Sequence, residues 1–183
     1  MSLGDATIFL LDEFGGLPRD DPGRCESMIR RDLFDLVESE AELMVPDVDA
    51  DDPAAEAARY QTAIEDGGLD LVILGLGGNG HLGMNEPGSG RDSGTRVVSL
   101  ASSTTDHARE SYGVSVPPQW GITVGLGQLL AAGELWLVVT GAHKAEVFKE
   151  TMTAPIAPET PSTFLREHPH ATVLADESAA SLL

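Results

Sequence analysis

The sequence predicts an α/β fold, a mostly parallel sheet with helices on both faces, and three observations lead there. The apolar runs are short, continuous and bounded by turn residues, as buried parallel strands are. Segments with helical spacing alternate with them, in the strand, loop, helix order that builds such sheets. The chain has 183 residues, 42% of them apolar and 22% charged, an ordinary globular balance with enough length to bury a core. No repeat, low-complexity tract or linker interrupts it, so residues 1–183 are expected to form a single domain.

Taken in order, Ala6 to Leu11 reads as a buried strand ending at Asp12-Glu13. A Gly-Gly-x-Pro turn follows at Gly15 to Pro18, then a helix from about Gly23 to Val37 with Met28, Leu33, Phe34 and Val37 at helical spacing. Asp47 to Asp52 is an acidic loop, and Asp52-Pro53 is an N-cap followed by proline at the first helical position. That helix stops at Gly67-Gly68. Leu69 to Leu74 is the clearest buried strand and enters a glycine-rich loop, Gly75 to Gly90. Thr95 to Leu100 (strand), Thr104 to Tyr112 (helix), Ile122 to Val124 (strand) and Leu126 to Ala131 (helix) come next, with Pro117-Pro118 as a break. A strand from Glu134 to Thr140, with Trp136 to Val138 as core, leads to a helix over His143 to Thr151 and a proline-rich loop, Thr153 to Pro161. A helix, strand and helix over Pro161 to His168, Ala171 to Ala175 and Glu177 to Leu182 close the chain.

Charge narrows the function. Eleven Lys and Arg stand against 30 Asp and Glu, a net charge of −19. So acidic a surface repels phosphate backbones and anionic bilayers, which argues against nucleic-acid and membrane partners. Met1 to Asp5 carries no basic and apolar leader pattern, and no apolar run approaches 18 residues. Cys25 is the one cysteine, which excludes an internal disulfide and fits a reducing, cytoplasmic setting. It has no basic partner in the pattern and reads as inert. His107, His143, His168 and His170 show no metal-ligand spacing, and Asp47 to Asp52 lacks the spacing of a calcium loop, so no metal is expected.

The loop Gly75-Leu76-Gly77-Gly78-Asn79-Gly80 satisfies G-x-G-x-x-G after a strand. A dinucleotide site needs a helix to begin there and an acidic residue about 20 positions on. Instead the chain continues His81-Leu82-Gly83-Met84-Asn85-Glu86-Pro87-Gly88, position 99 is Ser, Asp92 comes too early and Asp106 too late. The same loop places Asn79, His81 and Glu86 at the carboxyl end of a strand, where open α/β sheets bind ligands. A histidine oriented by a carboxylate suits proton shuttling; the plainer reading is a tight turn in which His81 only hydrogen-bonds the loop.

Gly78 to Gly88, with Leu11-Asp12-Glu13-Phe14-Gly15-Gly16-Leu17-Pro18, Gly121 to Gly127 and Thr140 to Ala145, resembles the ordered motifs of the glucosamine-6-phosphate deaminase/isomerase family. The related 6-phosphogluconolactonases share the Gly-His segment but lack the Asn-Glu-Pro found here at Asn85 to Pro87. The resemblance implies a Rossmann-like fold of the deaminase/phosphogluconolactonase type. It implies an enzyme that converts a hexosamine 6-phosphate, of glucosamine or galactosamine, to a ketose 6-phosphate and ammonia without a cofactor. By the resemblance His81, supported by Glu86, opens the sugar ring, and Asp12 moves the C2 proton to C1. Asn79 stands where members carry Asp or Asn and orients the histidine. Lys144, with Arg109 and the loop glycines Gly77, Gly78 and Gly80, is expected to bind substrate and its phosphate. Lys144 and Lys149 are the only lysines, and a cation at a helix start opposes the helix dipole unless an anion sits there.

Two departures qualify the resemblance. Members begin upstream with an S-G-G-S/T-P-type phosphate loop that has no counterpart here, so the chain reads as N-terminally truncated, with an open sheet edge that invites a homo-oligomer. The family's phosphate arginine falls, by ungapped count, on Glu110 beside Arg109. A non-catalytic sugar-phosphate-binding domain or inactive fragment, and a 6-phospholactone hydrolase, are therefore the alternative functions.

Overall fold

The apolar run from Ala6 to Leu11, predicted as one strand ending at Asp12-Glu13, is strand over only part of its length. Strand β1 (Thr7–Phe9) ends before Leu10, and β2 (Asp12–Gly15) starts at the acidic pair in a different sheet. The break follows from partners distant in sequence. β1 pairs in parallel with β3 (Glu42–Met44), an element the sequence reading missed, while β2 pairs antiparallel with β6 (Trp120–Thr123). These coordinates are a computed structural model that describes residues 3–37 and 40–183. Met1 and Ser2, part of the opening stretch read for a leader, lie outside the described residues, as do Glu38 and Ser39.

The chain divides into two compact units, Met1–Tyr60 with Arg96–Thr123, and Gln61–Thr95 with Val124–Leu183. In the first unit β6 is the middle strand between β2 and β5 (Arg96–Ser99), both antiparallel to it, so Thr123 lies opposite Asp12 on one side and Arg96 on the other. Helix α1 (Cys25–Asp32) is shorter than predicted. Leu33 leaves helical geometry and a 3₁₀ turn, Phe34–Leu36, follows. Helix α2 (Pro53–Gly67) starts where the sequence places it, because the Asp52 carboxylate accepts the Ala54 and Ala55 amides at 3.0 and 3.1 Å. Tyr60 on α2 is fully buried, and its hydroxyl lies 2.9 Å from both the Leu10 and Met44 carbonyl oxygens. One phenolic proton thereby serves the ends of both β1 and β3. Val48, Ala57 and Ile122 form a buried cluster against Trp120. Helix α3 (Ser102–His107) runs into a π turn, Ala108–Tyr112.

The second unit holds a three-stranded parallel sheet in the order β4 (Leu71–Gly75), β7 (Glu134–Val139), β8 (Ala171–Ala175). Val72, Leu74, Leu135, Leu137 and Val139 are buried on one face of it. On the alternate positions Leu71, Ile73, Val138 and Leu174 are 38–56% exposed. The sequence predicts helices over both faces and continuous burial through Trp136 to Val138. This sheet instead follows the two-residue side-chain period, with one face buried and only Leu137 of that trio fully enclosed. Helices α4 (Leu126–Leu130) and α5 (Ala145–Thr153) bury Leu126, Leu129 and Phe148, and a 3₁₀ helix, Pro161–Glu167, replaces the predicted α-helix there. Glu177 to Leu182, predicted as a helix, forms turns held by the Asp176 carboxylate on the Ala179 amide. No described helix is long and apolar enough to cross a membrane.

Replacing Tyr60 by Phe leaves the ring in place but removes the phenolic donor from both strand-end carbonyls, of which that of Met44 keeps the Leu10 amide at 2.9 Å. A loss of about 1–2 kcal/mol in unfolding free energy is expected by denaturant titration. The Arg24 guanidinium, 2.8 Å from Asp49, holds that carboxyl below the usual Asp range. A depressed native pKa stabilises the fold above the ordinary Asp pKa and loses that contribution as pH falls through the depressed value. The melting-temperature gap between the native chain and Asp49→Asn is therefore expected to be widest above pH ~4 and to close on further acidification.

Candidate active site

Asp12 opens β2 at the point where α1 begins, and Glu13 fixes that juncture. Its side chain is almost fully enclosed and accepts three backbone amides, from Phe14 at 2.7 Å, Cys25 at 2.9 Å and Glu26 at 2.8 Å. Two of those donors belong to the first turn of α1, which has no intrahelical acceptors for them. Burial pushes the Glu13 carboxyl pKa up, and the amides of Glu26, Cys25 and Phe14 and the nearby Arg24 charge only partly offset it. The first residue of α1 is thus pinned to β2, and the Cys25 thiol lies 3.4 Å from Asp12 Oδ1. Tyr112 also belongs to this unit, its ring 6.3 Å from that of Phe14. The sequence offered no sign of the Glu13 clamp or the Cys25 contact, because both depend on a fold that reverses the chain between residues 13 and 25. Only the adjacency of two acids at a strand end hinted that one of them was buried.

Arg109 lies in the π turn, half exposed, with Asp106 at 3.3 Å and Glu110 at 3.8 Å. A π turn admits one extra residue, so counting along a regular helix does not decide which of Arg109 and Glu110 takes the family position.

In the second unit the glycine-rich loop closes on itself after β4. The Gly77 amide donates to the His81 carbonyl and the Gly80 amide to the Gly77 carbonyl, both at 3.0 Å. A Cβ at Gly77 would stand 2.2 Å from the His81 ring, so that ring lies directly on the glycine backbone. The Asn79 side-chain amide donates to Glu86 Oε2 at 2.8 Å, and Asn79 Oδ1 accepts the His81 backbone amide at 3.2 Å. His81 Nδ1 comes within 3.5 Å of the same Glu86 oxygen. The three side chains that the sequence singles out on this loop are therefore brought together. The sequence reading expects Asn79 to orient the histidine; in the structure it bonds the His81 backbone amide and supplies Glu86 with a donor, which an ionised Asp could not do. Asn85 is fully buried and donates to the Leu82 and Val124 carbonyls, both at 2.9 Å, bracing the turn that carries Glu86. Gly80 takes φ +84° and its carbonyl accepts the Ser162 amide at 2.8 Å, while a Cβ at Gly78 would meet open space.

Lys144 ends a 3₁₀ turn, Ala142–Lys144, immediately before α5. Partial burial pushes its ammonium pKa down, and no ion pair among the described residues involves it. A half-buried cation at a helix start is suited to an anionic ligand. A cavity of about 500 Å³ in the first unit is lined by Arg19, Arg24 and Arg30, but Asp49 engages the first two and Glu26 the third. Those arginines are already neutralised, so the cavity offers no comparable anion site. Among the described residues no group of His, Cys, Asp and Glu is placed to hold a metal ion.

Truncating Glu13 to Ala leaves the start of α1 without its acceptor. A loss of about 2–4 kcal/mol in unfolding free energy is expected, with Glu13→Gln intermediate, read by chemical denaturation.

Residues 4–174 match the family model described as glucosamine-6-phosphate isomerases/6-phosphogluconolactonase. A glucosamine-6-phosphate deaminase of Rhodopirellula baltica is 41% identical over 186 residues, covering all of this chain and 74% of the relative. One of Pseudarthrobacter chlorophenolicus is 42% identical, covering 97% and 70%. A solved monomeric glucosamine-6-phosphate deaminase superposes with a TM-score of 0.91 at 32% identity, over 99% of this chain and 77% of that one. The 6-phosphogluconolactonase of Trypanosoma cruzi, at 22% identity over 97% of this chain and 72% of its own, shares the fold with a TM-score of 0.76. This chain, with its Gly-His loop and its acidic strand end, belongs to the glucosamine-6-phosphate isomerase/6-phosphogluconolactonase family.

Proposed function

We propose that this chain is an aminosugar-phosphate deaminase/isomerase that converts glucosamine 6-phosphate, or its galactosamine epimer, and water to a ketohexose 6-phosphate and ammonia. The observation that carries the reading is the Asn79–Glu86–His81 arrangement on a Gly-His loop that continues into Asn-Glu-Pro, in a chain whose whole length matches relatives named glucosamine-6-phosphate deaminase. His81, with Glu86 beside its ring, moves a proton from the anomeric hydroxyl to the ring oxygen and opens the pyranose. Asp12 then takes the C2 proton and returns it to C1, which leaves a C2 imine. Water adds to that carbon and ammonia departs, so the chemistry needs no redox step. Lys144 binds the substrate phosphate: its charge is half-buried and without an ion-pair partner among the described residues, a state that a phosphate would relieve. Arg109 contributes to the phosphate if its guanidinium exchanges Asp106 for substrate. Gly77, Gly78 and Gly80 supply backbone close to the sugar.

Ammonia release is to be measured with glucosamine 6-phosphate and galactosamine 6-phosphate, with hydrolysis of 6-phosphogluconolactone in parallel. Turnover of one aminosugar phosphate, lowered about 10²–10⁴-fold in Asp12→Asn, is expected. An unchanged rate in that variant would remove Asp12 as the base. Lactone consumption without ammonia would identify a hydrolase, and binding without turnover a sugar-phosphate receptor.

A further inference from the structure

The Cys25 thiol lies 3.4 Å from the Asp12 carboxylate, and its position is not accidental. Cys25 is the first residue of α1, and Glu13 holds its amide and the next one at 2.9 and 2.8 Å. With the backbone fixed on both sides of the juncture, Sγ stays 3.4 Å from Asp12 Oδ1, within range of a sulfur hydrogen bond. We propose that Cys25 is a positioning residue for Asp12: its S–H donates to Oδ1, holds the carboxylate in one rotamer and favours its ionised, proton-accepting form.

The thiol is suited to donate and unsuited to attack. Burial pushes its pKa well up, and the negative charges of Asp12 and Glu13 push the same way, so it keeps its proton at neutral pH. Several neighbouring titratable groups are themselves engaged or uncharged. Glu13 on β2 is occupied by three amides. Tyr112 on the π turn and Tyr60 on α2 are phenols that burial keeps protonated. Arg24, just before α1, is bonded to Asp49 and the Leu17 carbonyl. A hydrogen bond to the charged form lowers a carboxyl pKa. Removing it therefore raises the pH at which Asp12 becomes a base.

This inference rests on the reading of Asp12 as the catalytic base, and the test separates the two. The pH dependence of kcat/KM for ammonia release from glucosamine 6-phosphate is compared among the native chain, Cys25→Ala and Cys25→Ser. The acid limb is expected to move up by roughly 0.5–1 pH unit in Cys25→Ala and to return in Cys25→Ser, whose hydroxyl restores a donor. Superimposable profiles for all three would overturn the proposal. A second measurement needs no turnover. Cys25 is the sole cysteine, so the ultraviolet difference between matched chains with Cys25 and with Cys25→Ser cancels the tyrosinate band and titrates its thiolate alone. Asp12→Asn removes the neighbouring charge and is expected to bring the thiol midpoint down by about one unit, and an unmoved midpoint would also overturn the proposal. A shifted midpoint in a folded chain that releases no ammonia would leave the contact in place, and the positioning role would fall with the deaminase reading.

Discussion

A buried carboxylate that accepts three backbone amides organises the first unit. Glu13 ends up almost without solvent, an arrangement that costs free energy unless its lone pairs are filled. The amides of Phe14, Cys25 and Glu26 fill them, and two of these are orphan donors of a helix start that would otherwise need solvent. One interaction therefore satisfies an acid that β2 would leave bare and a helix end that its own backbone cannot satisfy. The chain between them must turn back within a dozen residues. The Asp21 carboxylate supports that turn by accepting the Gly23 and Ser115 amides, both at 2.9 Å. Asp12 and Cys25 meet as a consequence.

The second unit solves a similar problem with an amide in place of an acid. Asn85 sits at zero exposure and donates both side-chain protons to backbone carbonyls, at Leu82 within the loop and at Val124 before α4. Its pairing makes the sharp reversal after His81 a fixed piece of backbone and sets Glu86 beside Asn79. Gly77 is the complement: a residue with a side chain there would occupy the space of the His81 ring. In both units a partly buried acid, Asp12 or Glu86, is the sequence neighbour of an enclosed polar side chain that bonds backbone, Glu13 or Asn85. Such enclosed, fully satisfied groups are what allow exposed ones to be held in one geometry.

The acidic surface bears on substrate as well as on partners. A net charge of −19 repels a dianionic sugar phosphate at long range, so local positive potential carries weight. Lys144 carries a half-buried ammonium, and a low local dielectric strengthens the field of such a charge. Arg19, Arg24 and Arg30, which line the first unit's cavity, are each held by a carboxylate.

Most of the element order, the α/β class, the N-cap at Asp52 and the Asn79, His81, Glu86 loop were legible in the sequence, because they show in patterns that are local along the chain. Tertiary structure decided the rest. It ended β1 at Phe9 and put the acidic pair Asp12-Glu13 in a second sheet, because β3 and β6, both remote in sequence, pair with the two segments. It left one face of the β4–β7–β8 sheet exposed, which apolar composition alone does not reveal. It put a π turn where a count assumed a regular helix. It also turned Cys25, inert by pattern, into the neighbour of Asp12, since a contact made through a third residue's buried carboxylate leaves no trace in local spacing.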